Sequence, residues 1–101
     1  SYSARAWVNW TPAGVINGDG NVSSITDYGT GQFRVNFTSA APSANYAVVA
    51  SCRGATGLSA INVTDVQVAS SKTTSGAAVF VISTNTGAAF DPVETSASFF
   101  W

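Results

Sequence analysis

Apolar residues recur at every second position through much of this 101-residue chain. Phe33, Val35 and Phe37 alternate with Gln32, Arg34 and Asn36, the period-two pattern of a strand with one buried face. The first strand is expected at Arg5–Trp10, with Trp7 and Asn9 facing one way and Ala6, Val8 and Trp10 the other. Thr11-Pro12 ends it, because proline has no donor for a ladder. Gly14–Asn17 reads as a short strand, followed by Gly18-Asp19-Gly20-Asn21, a run able to supply the positive φ angles of a tight hairpin. Val22–Tyr28 and Gln32–Thr38 form a hairpin about Gly29-Thr30-Gly31.

Ala40–Asn45 is a loop holding Pro42, and Tyr46–Arg53 is an apolar, central-looking strand. Gly54–Ser59 turns the chain into Ile61–Val68, whose pattern changes phase near Thr64–Asp65, as at a bulge. Ser70–Gly76 reads as a polar turn, Ala77–Ser83 as a second central strand and Thr84–Pro92 as a loop. Glu94–Trp101 closes the chain, with Thr95, Ala97, Phe99 and Trp101 on one face and Ser96, Ser98 and Phe100 on the other. No window has helical periodicity. The fold class is therefore all-β, an antiparallel β-sandwich of about six to eight strands in one domain spanning 1–101.

The wording of Ala6-Trp7-Val8-Asn9-Trp10, Asn21-Val-Ser-Ser-Ile-Thr-Asp-Tyr-Gly-Thr-Gly, Val35-Asn-Phe-Thr and Pro42-Ser-Ala-Asn-Tyr closely resembles a segment of bacteriophage tail-fibre and related virion proteins. That resemblance covers about the first half of the chain. It implies the C-terminal module of a longer fibre protein on the virion exterior, outside the cell. A weaker resemblance, to H-type lectin domains, rests on Phe33-x-Val-x-Phe, Tyr46-Ala-Val-Val, Ile61-Asn-Val, Val79-Phe-Val-Ile-Ser-Thr and the terminal Ser-Ala-Ser-Phe-Phe-Trp. It implies a homotrimer binding sugars between protomers. Those lectins use an Arg, a neighbour's acidic residue and a late-loop His. Arg53 and Asp27 lie at comparable strand ends, and the His has no counterpart here.

Composition sharpens this picture. Only 9% of residues are charged while 46% are hydrophobic, which points to a complete core or to surface covered by other copies of the chain. Arg5, Arg34, Arg53 and Lys72 are scattered and the net charge is −1, so a nucleic-acid partner has no basic patch to rest on. No stretch approaches the roughly 20 apolar residues of a membrane helix, and membrane insertion is not expected. The chain opens at Ser1 without Met or an apolar leader, as expected of a module from a longer polypeptide.

Zero histidines and one cysteine rule out a Ser-His-Asp arrangement and a His- or Cys-rich zinc site. Carboxylate-pair hydrolysis could draw only on Asp19, Asp27, Asp65, Asp91 and Glu94, and Asp91 with Glu94 around Pro92 reads better as a turn. No enzyme activity, metal or cofactor is expected. Cys52 reads as a small buried hydrophobe. The three Asn-x-Ser/Thr triplets, at Asn21, Asn36 and Asn62, follow from composition.

Phe33, Phe37, Tyr46 and Phe80 are assigned to the core. Trp7, Trp10, Tyr28, Phe90, Phe99, Phe100 and Trp101 outnumber what a small core needs, so Trp7, Trp10, Phe99 and Trp101 are assigned to a seam between protomers. Asp27, Tyr28 and Arg53 combine polar and aromatic groups at strand ends, the mixture that suits a sugar's apolar faces and hydroxyl rim. The expected function is attachment to a host-surface polysaccharide or lipopolysaccharide by a trimeric tail-fibre domain, alongside other virion proteins. A ligand-free capsid or tail decoration or trimerisation domain is the alternative.

Overall fold

In the computed structural model the described residues are 3–54, 59–63, 71–84 and 86–101. They form nine strands and no helix: β1 Ala6–Trp10, β2 Ile16–Gly20, β3 Val22–Gly29, β4 Gln32–Phe37, β5 Ala47–Arg53, β6 Ser59–Asn62, β7 Lys72–Thr73, β8 Gly76–Ser83 and β9 Glu94–Phe100. The all-β antiparallel sandwich expected from the alternation is the architecture observed. One sheet has the order β2-β1-β9-β5. The other runs β3-β4-β8-β6, with β7 sharing the outer edge of β8. Every pairing is antiparallel. The expected phase change near Thr64–Asp65 lies outside the described residues.

Alternation dictates which side chains meet between the sheets. In β4, Phe33, Val35 and Phe37 are buried while Gln32, Arg34 and Asn36 are partly exposed. The outward Asn36 amide donates to Ser24 Oγ at 3.1 Å and Thr26 Oγ1 at 3.0 Å, tying β4 to the edge strand β3. In β9, Thr95, Ala97 and Phe99 point inward. Aromatic rings fill the two halves of the core. Trp10 meets Phe33 edge-on at 5.7 Å in one half. In the other, Phe37 sits 5.0 Å from Phe99, 5.5 Å from Tyr46 and 5.4 Å from Trp101. Burying one such ring is worth about 1.5–3 kcal/mol, and edge-to-face pairing adds about 0.5–1.5 kcal/mol.

Four expectations are corrected. Tyr46–Arg53, expected to be central, supplies the outer strand β5 of its sheet. Gly18 and Gly20 belong to strand β2, not to a hairpin; Asn21, at φ 57°, carries the chain from one sheet to the other. The turn-like segment before β8 contains the short strand β7. Phe80, assigned to the core, occupies the opposite face of β8 from buried Val79 and Val81 and is only half-buried.

Register defines two ends. Trp10 pairs with Thr95 and Arg53 with Glu94, so β1 and β5 finish where β9 starts. This is the loop end. At the opposite end Arg5 donates through its backbone N–H to Phe99 O at 2.8 Å and through Nε to Trp101 O at 3.1 Å. A clasp closes that end. Lys72 Nζ donates to Tyr46 O at 2.8 Å and stands 5.0 Å above the Tyr46 ring. The Tyr46 hydroxyl lies 2.7 Å from Gly76 O and 2.9 Å from Thr73 O, sharing its one proton between them. Burial pushes this phenol above the ordinary tyrosine value, against the opposing pull of the Arg34 charge and the Thr73 backbone.

Candidate functional site

From β1 to β5 each strand reverses the chain, so the end of β3 and the end of β5 share the loop end. Asp27, Tyr28 and Arg53 therefore stand at one pole of the sandwich, but not side by side: β3 is an outer strand facing β1 and β2, whereas β5 is the outer strand at the opposite edge, facing β6. Their roles differ. Asp27 Oδ1 accepts the Gly29 N–H at 2.9 Å, which commits that oxygen to shaping the turn. Tyr28 falls at a break in the β3–β4 register and is 37% exposed. Arg53 Nε donates to Glu94 Oε1 at 3.1 Å, and its side chain is 64% exposed. A pair so open to water contributes at most about 1 kcal/mol to stability, so the guanidinium stays available to a ligand at little cost.

Gly31 is the centre of this end. Its φ is +68°, and a Cβ there would stand 2.5 Å from Val81 O and 2.6 Å from Phe90 O, so only glycine fits. Its N–H donates to Asp91 Oδ1 at 2.7 Å, and its carbonyl accepts the Val81 N–H at 2.8 Å. The hairpin tip, β8 and the β8–β9 connection are thereby joined. Val93 N–H donates to Arg53 O at 2.7 Å and attaches the same connection to β5. Sequence reasoning weighed Asp91 only beside Glu94. The two acids serve different partners, Gly31 and Arg53, on either side of buried Pro92. Among the described residues no three His, Cys, Asp or Glu side chains gather as metal ligands would.

The seam assignment is corrected for two of its four residues. Trp10 and Phe99 are both 0% exposed and belong to the protomer's own core, where a neighbouring copy cannot reach them. The surplus of aromatics came from underestimating that core, which takes large rings from both sheets in each half. Trp101 is half-buried and packs on Phe37 and Tyr46 of its own chain. Trp7 alone of the four is well exposed, at 45%.

Trp7 lies on the outward face of the β2-β1-β9-β5 sheet. Its five-membered ring covers Gly20, where a Cβ would come within 2.5 Å of Nε1, and its six-membered ring covers Gly18, where the distance would be 3.3 Å. Beside it the Asn17 amide donates to Asn9 Oδ1 at 2.8 Å, and the Asn9 amide donates to Ser96 Oγ at 2.7 Å. The β1–β2 register slips between Asn9 and Trp10, and this bulge brings Asn17 into line with Asn9. Sequence reasoning missed this arrangement, although the outward placement of Trp7 and Asn9 was already in the alternation.

The described residues thus form an all-β, two-sheet antiparallel sandwich with Trp7, Tyr28 and Arg53 on open surfaces. No family model, curated protein or solved structure matches it.

Proposed function

We propose that this chain is an attachment module of a bacteriophage virion, the receptor-binding domain of a tail fibre, which holds host-surface glycan through its loop end. One observation carries the reading: exposed Tyr28 and exposed Arg53 share a pole stiffened by the Asp91–Gly31 hydrogen bond. Asp27 sets the turn that presents Tyr28. The Tyr28 ring offers an apolar face to a sugar, and Arg53 with Glu94 offers donors and an acceptor to its hydroxyls. The wording shared with tail-fibre proteins supports the virion setting, on the exterior and outside the cell. Binding is by avidity. A single shallow site has a Kd of roughly 0.1–1 mM, about −4 to −5.5 kcal/mol, and a homotrimer repeats it three times without new chemistry.

The test is adsorption. Virions carrying Tyr28→Ala with Arg53→Ala should lose attachment to host cells while the domain keeps its fold and oligomeric mass. Undiminished adsorption by a correctly folded double variant refutes the site. A ligand-free decoration or trimerisation domain is the second reading, favoured by Val49, 63% exposed on the outward face of β5. Light scattering at low concentration separates the two elements of the proposal, because a monomer mass removes the trimer and leaves the site standing.

A further inference from the structure

We propose that the outward face of the β2-β1-β9-β5 sheet carries a second saccharide site, in which an uncharged sugar ring stacks on Trp7 and bonds to the Asn17–Asn9–Ser96 ladder. The site is independent of the loop-end residues and requires no particular biological setting.

The argument begins with the glycines. Glycine within a strand costs order and gives up a cross-strand packing partner, so its presence there marks a close approach of something else. Gly18 and Gly20 alternate along β2, both on the same outward face as Trp7, and any side chain at Gly20 would strike the indole. The ring is seated on a backbone floor and remains 45% exposed, offering apolar surface to solvent at a fixed position.

The ladder supplies the second half of the recognition. The Asn17 amide is aimed at Asn9 by a bulge, and the Asn9 amide at Ser96, so three polar groups on adjacent strands are held in fixed orientations. Each retains hydrogen-bonding capacity: an amide has two N–H donors and a two-lone-pair oxygen, and a hydroxyl can both donate and accept. A sugar ring is about as wide as the spacing between two strands, so a ring over Trp7 brings its hydroxyl rim to the ladder. Charge selects the class of sugar. Among the described residues, Arg53 and Glu94 on this sheet's outward face are paired with each other at the loop end, and exposed Arg5, two residues before Trp7, rests its Nε on Trp101 O. An anionic glycan or a nucleic acid finds no cluster of cations beside Trp7, where Arg5 stands alone among the described residues, whereas a neutral saccharide needs none.

The experiment titrates the domain with uncharged tetrasaccharides of glucose, in β-1,4 and α-1,4 linkage, and of N-acetylglucosamine, each to about 10 mM. The readout is the set of indole N–H resonances, one for each of Trp7, Trp10 and Trp101. At least one probe should shift the Trp7 resonance and leave that of buried Trp10 in place. Trp7→Ala should weaken that binding at least about tenfold. Gly20→Ala, which keeps the indole but pushes it off its seat, should weaken it severalfold. Tyr28→Ala with Arg53→Ala should leave it unchanged, which distinguishes failure here from failure at the loop end. A Trp7 resonance unmoved by every probe overturns the proposal. So does equal affinity in Trp7→Ala, or a Trp7 signal that shifts on raising the protein concentration alone, which would assign this face to a second copy of the chain.

Discussion

Replacing Tyr46 by Phe isolates the clasp between the sheets, because it removes one oxygen and leaves the ring contacts with Phe37, Phe99 and Trp101 in place. The lost hydroxyl serves two carbonyls, Gly76 O at 2.7 Å and Thr73 O at 2.9 Å. Gly76 O also has a long 3.4 Å contact from Thr73 Oγ1, and Gly76 pairs with Thr73 in the β7–β8 ladder. A buried acceptor left without its partner costs about 1–3 kcal/mol, and the remaining Thr73 contact places the expected loss at about 1–2 kcal/mol. For a chain of this length that lowers the melting temperature by about 5–15 °C. The loss should also depend on pH. The folded-state pKa of Tyr46 is raised, so the folded state holds this proton more tightly than the unfolded state does. Its contribution is full below the unfolded value of about 10 and disappears as pH rises from there through the folded value. Thermal unfolding followed by tryptophan fluorescence should therefore show a wide gap between wild type and Tyr46→Phe at neutral pH, narrowing above about pH 10. Equal melting temperatures at neutral pH refute the clasp, and a gap that stays constant into the alkaline range refutes the burial argument.

Other substitutions probe the remaining framework. Among the described residues buried Thr95 Oγ1 has no hydrogen-bond partner, so Thr95→Val should raise stability by about 1 kcal/mol in urea denaturation; a loss would show that the hydroxyl is satisfied. Phe99→Ala should cost about 3–5 kcal/mol, with a denaturation midpoint independent of protein concentration, since the ring belongs to the protomer's own core. Gly31→Ala forces a Cβ against Val81 O and Phe90 O, so amide exchange at Val81 and Phe90 should accelerate while that of Phe99 at the far end stays slow.

Much of the sandwich was legible because alternation is a direct consequence of burying one face of a strand. β1, β4 and β9 carry that signal without interruption, and their inward residues are the ones observed. Where reading failed, tertiary contacts overruled local preference. Gly18-Asp19-Gly20-Asn21 has the composition of a turn, yet its glycines serve as the floor under Trp7. Phe80 sits in an apolar run where both faces read alike, so its side could not be assigned. β7 has two residues, too few for any period. The placement of Tyr28 and Arg53 at one pole follows from counting reversals, since β3 and β5 end after an odd number of crossings, whereas their separation onto opposite edges depends on the sheet order, which no local pattern carries. The Gly31–Asp91 bond links positions sixty residues apart, and no local pattern announces it.

Arg5 reaches both Phe99 and Trp101, so the two extremities of the described chain lie side by side, at the pole away from Tyr28 and Arg53. Both extremities of the described chain therefore stand at the pole away from the Gly29-Thr30-Gly31 turn. The same adjacency makes the sandwich a portable cassette. A short linker could close the extremities into a ring and new ends could be opened elsewhere, or the whole unit could be spliced into a surface loop of a host scaffold, with the Gly29-Thr30-Gly31 turn at the far pole still directed outward.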